Sequence, residues 1–382
     1  MKRRVAIVLT TRGNYAKMKS TMRAVLNHPA LELQVVVGGG ILLARYGDYA
    51  GIIEADGFRI DRRVPFLSDG DTLGEMARSA GQATKGMAEA FEELRPDIVI
   101  VIADRYEALS VAHAALCMNI PIAHLEGGEV SGSIDESIRH AITKLAHIHF
   151  PATSSAADRI IRMGESSESV IVVGSPSLDL LSGLDLSDVS SLNAIHWIDG
   201  GDKSPDFQKD YIVVSQHPVV TEYDDRSENM DETALAVREL GLPAIWVWPN
   251  MDAGSAEVTA GIRKFRTDHA DIHHVASLPM ELYAILLKNA RCLVGNSSSG
   301  IRECEFLGVP VVNIGTRQQG RQRGANVMDV PYDRRAIIRT IHTQLAHGPY
   351  QSAHLYGDGR AGEKIANALA RHDFKIQKMI AY

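Results

Sequence analysis

Short apolar runs, rich in β-branched residues and separated by helix-patterned stretches, limit the fold of this chain more than any other feature. "RVAIVLT" (Arg4 to Thr10) precedes "NYAKMKSTMRAVLNH", "DIVIVIAD" (Asp97 to Asp104) precedes "RYEALSVAHAALCM", and "IPIAHLE" (Ile120 to Glu126) precedes "DESIRHAITKLAH". The runs are nearly continuous rather than alternating, as in strands buried on both faces. Alternation of such strands with helices gives βαβ units and a parallel sheet. "SVIVVG" (Ser169 to Gly174) closes this first series. Ser175 to Phe207, rich in Ser, Asp, Gly and Pro, reads as a connection, after which "YIVVSQH", "AIWVWPN", "RCLVGN" and "VPVVNIG" form a second series. The expected fold is α/β, with two Rossmann-like doubly wound domains, residues 1–175 and 176–382. The carboxyl ends of both sets of strands are expected to open onto an interdomain cleft, where such sheets bind ligands. The tail from Gly362 reads as a closing helix that can pack back on the first domain.

A chain of 382 residues can bury two cores of this kind. Its net charge of −7 argues against a nucleic-acid partner. Small anionic ligands stay open, because local fields matter more than the total. Cys117, Cys292 and Cys304 form no CxxC pair, which suits a reducing compartment. The apolar run after the basic start ends quickly in Thr and Arg, and no stretch of about 18 apolar residues follows. A cytoplasmic protein without membrane contact is expected.

The chemistry-bearing residues gather at the ends of the apolar runs. Asp104 ends one strand and Glu126 the next, while Asp135 opens the helix that follows. Each acid has a plain structural explanation. "ADRYE" fits a capping box with Asp104 at the cap and Glu107 three residues on. Asp135 suits a helix dipole and can pair with Arg139 one turn later. Three acids so placed are harder to dismiss together. Gly127 and Gly128 would let a ligand approach the backbone, and Arg12 adds a positive group to the same rim. In the second half, "VGNSSSGIRE" places Ser297, Ser298 and Ser299 between a strand and a helix expected near Gly300. Serine caps helices well, but free N–H groups, hydroxyls and the helix dipole also suit a phosphate. Arg317, Arg321 and Arg323 follow the next strand, and arginine forks match phosphate oxygens. His217, before Pro218, and Asn250 both end strands, and Glu303, one turn into the next helix, reads either as a solvated helix acid or as an acceptor for ribose hydroxyls. His140, His147 and His149 lack a zinc signature, so no metal is expected.

A carboxylate set in one half and a diphosphate cradle in the other suggest chemistry on a nucleotide-linked sugar. Together, "ADRYEAL", "HLEGGEVSGSIDESIRHAITKLAHIHF", "SQHP", "PNMDAGS" and "VGNSSSGIRE…GVPVVNIGTRQ" resemble the hydrolysing UDP-N-acetylglucosamine 2-epimerases over nearly the whole chain. The "GDTTT" and "EAGLRT" motifs of the non-hydrolysing epimerases are absent. The resemblance implies a glycosyltransferase-B type fold, no metal or redox cofactor, a UDP-sugar partner and a homo-oligomer, dimer or tetramer. It implies conversion of UDP-N-acetylglucosamine to N-acetylmannosamine and UDP through 2-acetamidoglucal, with Asp104, Glu126, Asp135 and His217 catalytic. Arg12, Arg105, His217, Asn250, Leu278, Ser297, Ser298, Glu303 and Arg317 would contact the nucleotide sugar. One departure stands out: Asn14 replaces the acid usual in the family two residues after Arg12. A UDP-2,4-diacetamido-2,4,6-trideoxy sugar is therefore the second candidate substrate. A glycosyltransferase and a non-catalytic nucleotide-sugar binder of the same fold also stay open.

Overall fold

The computed structural model describes residues 2–43, 48–67, 72–102, 104–130, 135–195, 197, 205–217, 219, 226–248, 271–275 and 278–381, the side chains of Arg12, Leu73 and residues 226–228 excepted. The chain divides into two compact units. The first takes in Met1–Val130, Ile134–Asp179 and Tyr356–Tyr382, and the second contains Leu180–Leu355.

The first unit is built on strands β1 (Arg3–Leu9), β2 (Leu31–Gly38), β3 (Arg62–Val64), β4 (Ile98–Ile102), β5 (Ile122–Leu125) and β6 (Ile148–Phe150). They pair in the order β3-β2-β1-β4-β5-β6, every pair parallel. The second unit has β7 (Ile212–Ser215), β8 (Ala244–Val247), β9 (Ile272–Val275), β10 (Cys292–Gly295), β11 (Val311–Ile314) and β12 (Val327–Val330). Their order, β12-β11-β10-β7-β8-β9, is also all parallel. The strand order reverses once in each sheet, between β1 and β4 and between β7 and β10, and ligands bind at such reversals.

The continuous apolar runs follow from burial on both faces. Val5, Ile7 and Leu9 enter one core with Met18, Met22, Ile365 and Leu369. Their neighbours Ala6 and Val8 enter the opposite core with Met87, Phe91 and Val111. The C-terminal helix, Ala361–Arg371, belongs to the first unit. Asp179 accepts hydrogen bonds from its first two N–H groups, at 2.9 and 2.7 Å. Gly362 lets it lie against the Arg12–Asn27 helix, where a Cβ would stand 2.8 Å from the Ser20 backbone.

The strand expected at Ser169 to Gly174 does not form. Only Val170 bridges to His149, after a 3-10 turn at Ser167–Ser169. The segment lies beyond β6, a strand of three residues, and Val172 is exposed, so it gains neither a long partner nor burial on two faces.

Candidate active site

In the first unit Asp104 lies two residues beyond β4. It does not follow the capping-box expectation, since the N-cap of the Tyr106–Cys117 helix is Arg105, whose side chain makes no capping bond. The Asp104 carboxylate instead accepts a charged hydrogen bond from Arg139. That guanidinium is buried and also donates to the Glu129 carbonyl at 2.8 Å. A buried guanidinium needs a compensating anion, so Arg139 does more than the surface helix pair expected from its spacing to Asp135. Arg105 pairs with the buried Glu107 at 3.2 Å.

Glu126 follows β5 with a φ of 59°, a left-handed conformation that costs an ordinary residue about 1–2 kcal/mol. Such strain tends to mark functional positions. Its side chain is held from two sides. Lys17 Nζ lies 2.7 Å from Oε2, and Ser175 Oγ donates to Oε1 at 3.0 Å, with Ser177 Oγ 3.0 Å from Ser175 Oγ. At the two glycines that follow, neighbouring atoms fill the Cβ side. A Cβ on Gly128 (φ 75°) would stand 2.2 Å from the Ala156 carbonyl, and one on Gly127 would stand 2.9 Å from the His124 ring. Asp135 is the first residue of the Asp135–Leu145 helix. Arg12 opens the first helix, but its side chain lies outside the described residues, as do Ser131 to Ser133.

Asn14 has a defined local task. Its Oδ1 accepts from Thr10 Oγ1 at 2.9 Å, Thr11 N at 3.2 Å and Thr10 N at 3.4 Å, while its own N–H bonds Thr11 Oγ1. This is a capping box with an amide in the acid's place.

In the second unit His217 lies two residues past β7, half-buried. Burial, and then the neighbouring Arg317 charge, push its imidazole down to about 3. It is a neutral ring at pH 7, so the positive charge at this point comes from Arg317. The serine run does not begin a helix at Gly300. Ser298–Gly300 forms a 3-10 turn, and the helix Glu303–Leu307 is only five residues long. Any anion site here therefore rests on N–H groups and hydroxyls more than on a macrodipole, which needs aligned peptides. Ser297 Oγ and Tyr283 Oη each lie 2.8 Å from Ser299 Oγ, and Glu303 is buried at the start of the short helix. Arg317 Nη1 donates to the Asn296 carbonyl at 3.0 Å. Of the other arginines, Arg323 pairs with Asp329 and donates to two carbonyls of its own loop. Leu278 is half-buried just before the Met280–Lys288 helix. Asn250 lies outside the described residues.

Sequence reasoning missed Lys17, Ser175, Tyr283 and Asn296. Only Asn296 carried a signal, heading the serine run at a strand end. Among the described residues no group of three or more His, Cys, Asp and Glu is placed to hold a metal ion. His149 instead meets Glu165 at 3.2 Å, His147 accepts from Ile122 N, and His140 meets Glu136 at 3.4 Å. No helix among them is long and apolar enough to cross a membrane.

The sequence profile of the family described as "UDP-N-acetylglucosamine 2-epimerase" matches residues 23–370. The "UDP-N,N'-diacetylbacillosamine 2-epimerase (hydrolyzing)" of Legionella pneumophila is 34% identical over 385 residues, covering 100% of both chains. The "UDP-N-acetylglucosamine 2-epimerase" of Neisseria meningitidis serogroup B is 29% identical, covering 94% of this chain and 91% of its own. The crystal structure of the Neisseria meningitidis UDP-GlcNAc 2-epimerase bound to UDP-GlcNAc shares the fold, with a TM-score of 0.81 at 17% identity, covering 97% of this chain and 100% of that one.

Proposed function

Because the chain belongs to the UDP-N-acetylglucosamine 2-epimerase family, we propose that it catalyses the hydrolytic 2-epimerisation of a UDP-linked 2-acetamido sugar. The observation that carries this reading is the pairing of strand-end carboxylates with cations brought from elsewhere in the first unit: Asp104 with Arg139, and Glu126 with Lys17. Acids that served only as caps would need neither partner.

In this reaction a base removes the C2 proton and the C1–O bond to UDP breaks, leaving a 2-acetamidoglycal. Water then adds its oxygen at C1, and a proton returns to C2 on the opposite face, giving the manno-configured free sugar and UDP. Asp104, Glu126 and Asp135 share the proton transfers, a task for carboxylates whose environments set different proton affinities. Arg317 and the Ser297–Ser299 turn take the diphosphate, where negative charge develops as the bond breaks. His217, neutral, donates a hydrogen bond to a phosphate oxygen. Glu303 accepts the ribose hydroxyls, while Arg12, Arg105, Asn250 and Leu278 complete the contacts to the nucleotide sugar.

UDP-N,N'-diacetylbacillosamine is favoured as substrate by the full-length relative at 34% identity. UDP-N-acetylglucosamine is the second reading, supported by the Neisseria relative. The test is incubation with each UDP-sugar alone, followed by proton NMR. Free manno-configured sugar and UDP from either sugar supports the reaction, and the faster of the two names the substrate. Turnover that waits for an acceptor would mark a transferase. Tight binding without turnover would mark a sugar-nucleotide binder.

A further inference from the structure

Asn296 is completely buried, one residue beyond β10, where the strand order of the second sheet reverses. Its side chain bonds both polar groups of the His217 backbone. Oδ1 accepts the His217 N–H at 2.7 Å, and Nδ2 donates to the His217 carbonyl at 2.9 Å. The ladder between β7 and β10 ends at the Ser215–Gly295 pair, and Asn296 N donates to Ser215 O at 3.1 Å. The amide therefore supplies a further rung past the last backbone pair, where the His217 peptide groups would otherwise go unmatched. The Asn296 carbonyl in turn accepts from Arg317 Nη1 at 3.0 Å and Gln318 Nε2 at 2.8 Å. One buried residue thus holds both the strand end that carries His217 and the turn that carries Arg317.

We propose that Asn296 is a positioning residue, fixing His217 against Arg317 so that imidazole and guanidinium meet the diphosphate as one preset pair. The inference rests on the reading that His217 and Arg317 serve the departing UDP. The ring itself is held weakly. Its contact to Ser215 Oγ is 3.4 Å, long for a hydrogen bond. The direction of the imidazole is therefore set through its backbone, and Asn296 holds that backbone. Aspartate matches the size of asparagine and accepts the His217 N–H, but it turns an oxygen toward the His217 carbonyl in place of a donor.

Asn296→Asp and Asn296→Ala, each alone and combined with His217→Gln, test this. Either substitution alone should lower kcat by about 10²-fold, the scale of a small misplacement of a reacting group, with KM little changed. In the His217→Gln background the same substitution should add little, because the two act as a unit. The ring signals of His217 in ¹⁵N-histidine-labelled protein, identified by their loss in His217→Gln, should shift and broaden in Asn296→Asp without any substrate. Losses that add in the double variants, a folded Asn296→Asp with wild-type kcat, or unmoved His217 signals would each overturn the proposal. If the wild type turns over neither UDP-sugar, the proposed reaction fails, and the ring signals still decide whether Asn296 sets His217.

Discussion

Lys17 Nζ lies 2.7 Å from Glu126 Oε2, joining the first helix to the end of β5 across 109 residues of sequence. The carboxylate is 4% exposed and its partner 31%, so the pair is neither sealed nor freely solvated. Lys17→Met keeps most of the side-chain bulk and removes the charge. A buried carboxylate deprived of its cation favours protonation, so its pKa rises. The acidic limb of the pH profile of kcat/KM should move up, and Lys17→Arg should restore it in part. The stability loss should be about 1–3 kcal/mol, between the exposed and buried limits. A Lys17→Met profile that overlays the wild type would contradict this role.

Asp104→Asn, Glu126→Gln and Asp135→Asn should each lower kcat by about 10²–10⁴-fold, as loss of a general acid or base does, with KM less affected. Asp104→Asn should also lower the melting temperature, because it removes a charged hydrogen bond to the buried Arg139. Acids serving only as caps would each cost about 1 kcal/mol of stability and leave turnover intact. Steady-state kinetics on protein shown folded by circular dichroism separates the two outcomes.

Asn14→Asp should leave both turnover and the choice between the two UDP-sugars unchanged. The three donors that meet Asn14 Oδ1 serve a carboxylate equally well, and an acid in the first turn adds roughly 0.3–1 kcal/mol. A switch in sugar preference in Asn14→Asp would instead make this residue a reader of the substrate.

Outside the candidate site, Glu165 gathers Lys144, Lys378 and His149 around one buried carboxylate and ties the C-terminal tail to the first unit. Burial opposes its ionisation, but bonds from His149, Lys144 and Lys378 outweigh it and hold the carboxyl down to about 2, from an ordinary 4.5. The folded state therefore gains from Glu165 wherever the unfolded carboxyl is ionised, above pH 4.5, and loses that gain as pH falls from there toward 2. The shift corresponds to roughly 3 kcal/mol at neutral pH. Glu165→Gln should melt lower than the wild type at pH 7, and the gap should close as pH drops through 4. A gap that stays constant with pH would show that the carboxylate charge contributes nothing.

The strands that cross each sheet's centre were legible because burial on both faces leaves no room for polar residues, as in "DIVIVIAD" and "YIVVSQH". So were β5, β8 and β11 beside them, but β2 and the edge strands β3 and β9 were not. β2 begins with Glu32 and Gln34 among its apolar residues, β3 is two arginines and a valine, and β9 carries His273 and His274. The candidate acids could be read because they end apolar runs, where any polar residue stands out. Their partners could not. Lys17 and Arg139 sit inside helices, where cations are ordinary, and only the fold brings them to Glu126 and Asp104. Asn14 was legible as a departure, but its local task was not: its oxygen accepts from Thr10 and Thr11 within its own turn.

The most direct test of the proposed reaction is turnover of the wild-type enzyme in D₂O, with C2 of the released sugar read by proton NMR. Elimination followed by hydration removes the original C2 proton and returns one from solvent-exchangeable acids. The expected product is free manno-configured sugar carrying deuterium at C2, formed together with UDP. Free sugar that retains its original C2 proton would contradict the proposed reaction, and with it the proton-transfer roles of Asp104, Glu126 and Asp135.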